Sequence, residues 1–368
     1  MSSANLVGVS HVRPQLTLSE KFRLLALVIF LLFTKVIPSF ILDVCKRRDF
    51  STPTLQRTLV KQIGRCGPSL PVRMSQSLQT PTGETIKHRC KQVNIKHESE
   101  QLFVGNFPQA TLHFVGCGSS QRGNILLYFH GGGYVFPMTN GHFAFAQLAA
   151  KAAHADLAIL EYGLAPALKY PGQLAQAAAA VRFLLQEHHP SQILIGGDSG
   201  GGNLALALLS HLRSPHPSVQ TLSGPDGQPP VLRGMFCISP RCANDYNSPS
   251  FTSNASKDII GVESMKLFTS NWQPAADQVW ATPIQGDRHF WSSIAAQRLL
   301  LVAGEDEVYR DDIAHLAELM GAESRSGAER QFTVCPGEIH VQCVLDMGIG
   351  IDTSYMLTAV LQWLKSLP

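Results

Sequence analysis

The 368-residue sequence lacks the patterns that would place it in several common functional classes. None of its eight cysteines forms a C-x-x-C pair, which argues against a zinc site. Neither G-x-x-x-x-G-K-S/T nor G-x-G-x-x-G occurs, so the usual phosphate-binding glycine loops are missing. With 30 basic and 27 acidic side chains the formal charge is only +3, and there is no long basic tract. Nucleic acid is therefore not an expected partner, and no metal is expected.

Short apolar runs alternate with helical segments through most of the chain. Buried strands are predicted to begin at Asn124, Leu157, Ile193, Val231, Arg298 and Gln331. Such β-α-β units with short loops predict a mainly parallel sheet covered by helices on both faces. Polar and apolar residues alternate over about 85–115, which predicts antiparallel edge strands. Residues of about 241–295 lack strand periodicity and are expected to form an insertion between two strands. This insertion contains the sequon Asn254-Ala255-Ser256, a glycosylation site only if it faces a secretory lumen.

Ser199 lies at the centre of a Gly-x-Ser-x-Gly turn, after Asp198 and between a predicted strand and a predicted helix. A serine on so sharp a turn needs small neighbours, because a Cβ on either side would clash. The turn presents the hydroxyl clear of the sheet and points the Gly200 N–H toward a developing oxyanion. Chymotrypsin-like proteases carry a similar sequence, but their histidine and aspartate precede the serine. Here the best candidates follow it, and Ser199 is the predicted nucleophile.

A His-Gly-Gly-Gly sequence follows directly after the strand that ends at Phe129. Three glycines leave backbone N–H groups uncovered, so a substrate carbonyl can approach to hydrogen-bond distance. We expect the N–H groups of Gly131 and Gly132 to form an oxyanion hole with that of Gly200, supported by Gly133. A flexible turn or a phosphate nest is the alternative. His130 is expected to orient this loop and not to act as a base.

The general base is predicted to be His340, which follows the last predicted strand. Loops at the carboxyl ends of parallel strands face the active site of an α/β sheet. Other histidines after Ser199 lie in predicted helices or in loops away from these strand ends. The acid must come from the carboxylates that follow Gly304. Asp306 and Glu307 are adjacent, so only one of them can reach His340, and the residues alone leave both possible.

The order of these motifs resembles that of the hormone-sensitive-lipase-like carboxylesterases, a family that includes arylacetamide deacetylase. His-Gly-Gly-Gly is followed by Gly-Asp-Ser-Gly-Gly, an acid and Gly-x-x-His, and the similarity covers roughly residues 120–345. The Tyr-Gly-Leu-Ala-Pro sequence at 162–166 is similar to the family's Tyr-Arg-Leu-Ala-Pro. The resemblance implies an α/β-hydrolase fold, esterase activity on short or medium acyl groups, and no cofactor. It also implies a helical cap built from the N-terminus and from the insertion.

The same resemblance favours Glu307 over Asp306 as the triad acid, because Arg310-Asp311 is similar to the Arg-Asp pair that follows the acid in the family. The chain departs from the family pattern at four positions that support the fold. Family residues Arg, Glu, Asp and Ala are replaced by Gly163, Ala167, Gln176 and Gly200. These changes bear on substrate choice and not on the type of reaction.

An apolar run covers residues 24–42, interrupted by Lys35 and Pro38 and flanked by basic residues on both sides. It is just long enough to span a bilayer. No small-residue cleavage site follows, so a cleaved signal peptide is not expected. Two alternatives stay open: a membrane anchor, or a helix that packs over the active-site mouth or lies on a membrane surface. The expected localisation is intracellular, either cytoplasmic or membrane-associated, for example at the endoplasmic reticulum.

The predicted organisation is an N-terminal tail with the apolar segment (1–43), cap helices (44–84) and an α/β-hydrolase domain (85–368) that carries the cap insertion. The predicted function is a serine hydrolase that cleaves small-molecule carboxylic esters through an acyl-enzyme. Amide, lactone or steryl acetate cleavage at the same site is the alternative. A non-catalytic small-ligand receptor on this fold, as in the plant gibberellin receptors, is disfavoured because those proteins lack the histidine base and His340 is present.

Overall fold

The computed structural model describes residues 13–46, 50–116, 118, 123–224, 226–325 and 327–368. One sheet organises this part of the chain. Its eight strands run in the spatial order β1-β2-β4-β3-β5-β6-β7-β8. Their bounds are β1 His97–Leu102, β2 Ala110–Val115, β3 Ile125–Phe129, β4 Asp156–Glu161, β5 Ile193–Asp198, β6 Gly234–Ile238, β7 Leu299–Gly304 and β8 Arg330–Cys335.

In the spatial order, the strands β4, β3, β5, β6, β7 and β8 are parallel to one another. At the other end of the sheet, β2 pairs with β4 and β1 with β2 in antiparallel fashion. The central strands are buried on both faces, as the continuous apolar runs of the sequence require. The predicted α/β-hydrolase fold, with a mostly parallel sheet between helices, is confirmed.

Helices cover both faces of the sheet. One face carries α7 (Gly172–Leu184), α8 (Gly200–Arg213) and α11 (Arg310–Leu319), and the other carries α6 (Asn140–Ala152), α12 (Gln342–Gly348) and α13 (Tyr355–Lys365). Each set buries its apolar stripe against the sheet in its own cluster. The parallel strands therefore end together at one edge, and the loops at that edge are held by packed elements on both sides.

The chain before β2 differs in part from the expectation of edge strands over 85–115. Residues Thr82–Gln92 form a helix, α5, and only β1 and β2 are strands. Ile86 and Cys90 are four residues apart and both are buried against α6 and the sheet. That spacing is helical, and the apolar residues were wrongly assigned a period of two.

The insertion between β6 and β7 contains helices α9 (Pro249–Ser253) and α10 (Val262–Trp272) and short 3₁₀ turns, and no named strand. Its Asn254 is fully buried, and its Nδ2 donates to the carbonyl oxygens of Glu305 and Glu307, each at 2.9 Å. A glycan cannot be attached to an amide in this position of the folded protein. The sequon is therefore a structural asparagine, whichever compartment holds the protein.

The N-terminal segment forms one long helix, Leu18–Lys46, which consists of α1 (Leu18–Leu31), a π-helical turn at Leu32–Val36 and α2 (Ile37–Lys46). Within the described residues it is the one helix long and apolar enough to cross a membrane by length and composition. Helices α3 (Thr52–Arg65) and α4 (Val72–Ser77) follow it. Together with the insertion these helices lie above the carboxyl edge of the sheet, where they line the same cavity as Ser199.

Candidate active site

Ser199 stands on a tight turn between β5 and α8, with a backbone φ of 52°. A Cβ added to Gly201 would lie 2.0 Å from the Phe129 carbonyl oxygen, and one added to Gly197 would lie 2.3 Å from that of Gly201. Only glycine fits at both positions, which is the steric reason for the Gly-x-Ser-x-Gly pattern. The strained turn is held by packing on both sides and places the Ser199 hydroxyl at the floor of a cavity.

His340 lies beside Ser199, with its Nε2 atom 2.8 Å from the Ser199 Oγ atom. It comes from the loop after β8, as its position in the sequence predicts, and its side chain is buried. A hydroxyl and an imidazole nitrogen at this distance can exchange a proton. The sequence therefore located both members of this pair.

Glu307 lies on the other side of the His340 ring, with Oε2 3.7 Å from Nδ1 and a fully buried side chain. Asp306 points elsewhere: its Oδ1 accepts a 2.7 Å hydrogen bond from Lys257 Nζ at the surface. The structure thus places Glu307, and not Asp306, next to His340. The 3.7 Å separation is longer than a hydrogen bond, as is common in unliganded active sites that tighten when substrate binds.

The pKa of His340 is raised above its ordinary value. Burial by itself lowers it, because the charged imidazolium loses water, but the negative charge of Glu307 outweighs this effect, with help from Asp258 and Asp198. The site therefore stabilises the imidazolium that forms when His340 takes a proton. That is the electrostatic requirement for a general base that must hold a proton during the reaction.

Ser239 is a site residue that the sequence analysis missed. It follows β6 in a left-handed conformation with φ of 46°, and its hydroxyl donates to Glu307 Oε2. The Ser239 Oγ atom also accepts a hydrogen bond from the backbone N–H of Val341 at 3.1 Å. Ser239 thus joins the loop of the acid to the loop of the base. Its position directly after a parallel strand was the one signal available in the sequence.

Asp258 was also missed, because it lies in the insertion and in no recognisable motif. Its fully buried carboxylate accepts backbone N–H groups from His340 at 2.9 Å, Val308 at 2.8 Å and Ile259 at 2.7 Å. Burial raises the pKa of this carboxyl to about 6, although His340 and the backbone donors act in the opposite direction. One side chain of the insertion therefore binds both the loop of Glu307 and the loop of His340.

The glycine loop corrects one expectation. The Gly131 N–H donates to Asp198 Oδ1 at 3.0 Å, so it is not available to an oxyanion. Gly132 and Gly133 have positive φ values, 105° and 60°, and line the cavity beside Ser199. A Cβ added to Gly200 would lie 3.2 Å from the Gly133 nitrogen, so the two segments are adjacent. In the described part of the chain, the N–H groups of Gly132, Gly133 and Gly200 have no acceptor.

Asp198 and His130 hold this loop in place. The Asp198 carboxylate is buried, accepts the Tyr128 hydroxyl and lies 3.2 Å from His142 Nε2. His130 stacks on Tyr162 with ring centroids 4.4 Å apart, and Tyr162 donates to its carbonyl oxygen at 2.7 Å. Burial lowers the pKa of His130 to about 4, so it stays neutral. Both residues occupy the supporting positions expected for them.

A cavity of about 750 Å³ opens above Ser199 and His340. Its walls are mostly aliphatic and aromatic side chains from the long N-terminal helix, α3, α10 and the loop after the glycines. Representative lining residues are Leu31, Ile63, Phe136, Leu267 and Phe268. A cavity of this size and polarity suits an uncharged apolar molecule with one polar group at the floor. Within the described ranges no group of three or more histidine, cysteine, aspartate or glutamate side chains is arranged to hold a metal ion.

Comparison with known proteins decides the family. The model of the α/β-hydrolase fold matches residues 126–344, more than half of the chain. The chain belongs to this family. The fold is also that of a solved esterase from the bacterial hormone-sensitive lipase family, whose crystal structure superposes with a TM-score of 0.61 at 22% identity, over 87% of this chain and 99% of that one.

Two curated proteins are similar to parts of this chain. An acetyl-hydrolase from Streptomyces hygroscopicus is 28% identical over 225 residues, which cover 60% of this chain and 69% of the relative. Human arylacetamide deacetylase-like 2 is 36% identical over 106 residues, 26% of each chain. The matched part of this α/β hydrolase thus spans about two thirds of one relative and a quarter of the other.

Proposed function

We propose that this α/β hydrolase is a serine carboxylic ester hydrolase in which Ser199, His340 and Glu307 form the catalytic triad. The observation that carries the proposal is the 2.8 Å contact between Ser199 Oγ and His340 Nε2, with the buried Glu307 carboxylate behind the ring. The related acetyl-hydrolase and esterases support the same class of reaction. A receptor without catalysis would not need this pair at hydrogen-bond distance.

The reaction proceeds through an acyl-enzyme. Ser199 Oγ attacks the ester carbonyl carbon while His340 Nε2 accepts the hydroxyl proton. The protonated His340 then gives this proton to the leaving alcohol oxygen as the C–O bond breaks, which leaves an acyl group on Ser199. Water attacks that ester, again with His340 as the base, and releases the carboxylic acid and free Ser199.

The oxyanion of each tetrahedral intermediate is stabilised by the N–H groups of Gly132, Gly133 and Gly200. This assignment replaces Gly131, whose N–H is already bonded to Asp198. A preorganised donor in a water-excluded site is typically worth about 2.7–4 kcal/mol in the transition state. The positive φ of Gly132 and Gly133 favours glycine, and an added Cβ would clash with the Phe136 carbonyl group at Gly132 and with the Phe268 ring at Gly133.

The apolar cavity supports uncharged esters with short or medium acyl groups as substrates. Amides, lactones and steryl acetates use the same triad and the same oxyanion hole, and they are the second candidate class. The apolar walls of the cavity suit the apolar part of such a substrate as well as they suit an acyl chain. A substrate series that varies the leaving group at constant acyl length separates these classes.

The test is active-site labelling with a fluorophosphonate, followed by hydrolysis of p-nitrophenyl esters from acetate to decanoate. We expect one labelled serine, loss of labelling in Ser199→Ala, and a measurable kcat/KM for the acetate. Ser366→Ala, an exposed serine that does not line the cavity, is the matched control and should label normally. A folded protein that does not label at Ser199, or Ser199→Ala with full esterase activity, would exclude this function.

A further inference from the structure

The N-terminal helix, Leu18–Lys46, has two faces with different surroundings. The inner face buries Leu24, Leu31 and Val36 against the cap. Its middle, including Val28, Leu31 and Val36, lines the cavity that contains Ser199 and His340. The outer face carries large apolar side chains that are about half exposed or more in the described chain: Leu18, Phe22, Leu25, Ile29, Phe30, Phe33, Ile41 and Leu42. An apolar strip of this length is much larger than a soluble surface normally exposes.

Polar contacts hold both ends and the middle of this helix on the globular part. At the first turn, Glu20 lies 3.4 Å from Arg73 Nε. In the last turns, Asp43 accepts from Lys61 Nζ at 2.5 Å, and near the centre Lys35 Nζ donates to Ser69 Oγ at 3.0 Å. A 29-residue helix is roughly 43 Å long, so these contacts keep it flat on the cap along its length.

This attachment decides the orientation of the helix relative to a membrane. If the helix crossed a bilayer, its middle would carry the mouth of the catalytic cavity into the hydrocarbon core, together with the polar groups of the cap. If it lies in the plane of the membrane surface, its outer face contacts acyl chains and the rest of the protein stays in water. The charges agree with the second arrangement. Lys21, Arg23 and Lys46 are exposed at the two ends, where anionic headgroups would lie, while Glu20 and Asp43 are paired within the protein.

We propose that the N-terminal helix lies in the plane of a lipid surface and forms the wall between that surface and the catalytic cavity, so that membrane-dissolved esters with a long apolar group reach Ser199 from the lipid. The inference rests on the proposed esterase function and adds to it a substrate class and a route of entry. The π-helical turn Leu32–Val36 lies in the wall itself. A turn of this kind interrupts the regular helix at the point where a substrate would pass.

The experiment compares full-length protein with a variant of the outer face, Phe22→Ser/Ile29→Ser/Phe33→Ser. None of these three residues lines the cavity. The matched control, Phe103→Ser/Val231→Ser/Tyr355→Ser, removes three exposed apolar side chains elsewhere. Each protein is floated with vesicles of phosphatidylcholine and phosphatidylserine. Each is then assayed on p-nitrophenyl acetate in buffer and on the acetate ester of a long-chain alcohol dissolved in the same vesicles.

We expect the outer-face variant to lose vesicle binding and hydrolysis of the vesicle ester at least tenfold, while its rate on p-nitrophenyl acetate stays within twofold of the wild type. The control variant should behave as the wild type in all three assays. Equal loss of vesicle binding in both variants would overturn the inference, and so would a wild-type protein that does not float. Fluorophosphonate labelling of Ser199 would stay intact in either case. Absence of activity on p-nitrophenyl acetate in every protein would instead reject the proposed function.

Depth measurements distinguish the in-plane helix from a membrane span. Tryptophan is placed singly at Phe22, Phe33 and Ile41, and its quenching by lipids brominated at a shallow or a deep acyl position is compared with that of the wild type. We expect the three positions to be quenched alike and best by the shallow bromines. Deep quenching at position 33 with shallow quenching at 22 and 41 would establish a spanning helix and exclude the arrangement proposed above.

Discussion

The charges of Glu307 and His340 depend on each other, because the two side chains lie next to one another in the site. Both are buried, and the carboxylate raises the pKa of an imidazole that burial alone would lower. Because water is excluded from the pair, each charge depends on the other more strongly than at a surface. Removal of the carboxylate should therefore affect both the rate and its dependence on pH.

Glu307→Gln should lower kcat by roughly 10³–10⁴, because the orienting carboxylate of a triad can be worth about 10⁴ in kcat. Asp306→Asn is the matched control, since Asp306 is at the surface with Lys257 and should change kcat less than threefold. Steady-state kinetics on p-nitrophenyl acetate with circular dichroism of both variants makes the comparison. A large loss of kcat in Asp306→Asn and a small one in Glu307→Gln would show that Asp306, and not Glu307, is the acid.

The pH profile of kcat/KM should have an acidic limb with an apparent pKa above 6.5, because His340 must be neutral to accept the proton and its pKa is raised. Activity is then lost as the pH falls through that value. In Glu307→Gln the residual activity should show this limb at lower pH, since burial now acts without the opposing carboxylate. A limb that stays in place in this variant would mean that Glu307 does not set the charge of His340.

At this scale the strand order predicted that Ser199 and His340 would lie together, because each follows a strand and the carboxyl ends of parallel strands meet at one edge. The residues alone left Asp306 and Glu307 open, and only the family resemblance favoured Glu307. The prediction failed for Gly131, whose N–H is bonded to a carboxylate 67 positions away in the chain. Hydrogen-bond partners of that kind are set by tertiary contacts. Ser239 and Asp258 were missed for the same reason, since their roles depend on backbone groups that no local pattern identifies.

At the scale of elements, the insertion does more than cover the cavity. Asp258 binds the backbone of the base loop at His340 and that of the acid loop at Val308, and Asn254 binds the acid loop again at Glu307. The position of the proposed triad therefore depends on the insertion as well as on the sheet. A catalytic arrangement supported by two elements is held more precisely than one built on loops alone.

Asp258→Asn should lower kcat about tenfold or more. The asparagine amide keeps one acceptor but replaces the other with a donor, so a buried N–H such as that of Val308 loses its partner, at a cost of about 1–3 kcal/mol. Loss of the negative charge should also move the acidic limb of the pH profile to lower pH. Asp277→Asn, an exposed carboxylate of the same insertion, is the control. An Asp258→Asn enzyme with wild-type kcat and pH profile would show that Asp258 only stabilises the fold.

The elements themselves were predictable where a strand or helix had one strong period. The central strands were identified as buried because they are continuous apolar runs, and the helices between them because of their length. Helix α5 was not, since Val93 and Ile95 are two residues apart, as in a strand, whereas Ile86 lies seven residues before Val93, as in a helix. Ile86 and Cys90 are buried on one side of the helix, which is the feature that distinguishes it from a strand. Burial depends on tertiary contacts and cannot be seen in the local sequence.

At the scale of the whole molecule, the catalytic cavity lies between two parts of the chain that are far apart in sequence. Its floor is the carboxyl edge of the sheet, and its roof combines the N-terminal helix with the insertion. The sequence left the role of residues 24–42 open between an anchor and a cap helix. The helix lines the cavity and exposes an apolar outer face, so membrane binding and capping are compatible in one element.

Deletion of residues 1–46 should remove the N-terminal wall of the cavity and change acyl selectivity more than the chemical step. Each methylene group buried against the wall contributes about 0.8 kcal/mol, so two or more lost contacts lower the octanoate-to-acetate ratio of kcat/KM about tenfold or more. The acetate rate should stay within about fivefold, because Ser199, His340 and Glu307 come from other elements. Deletion of residues 1–12, which leaves the helix intact, is the control, and fluorophosphonate labelling checks that the site has folded. An unchanged octanoate-to-acetate ratio in the longer deletion would show that the helix does not contact the acyl chain.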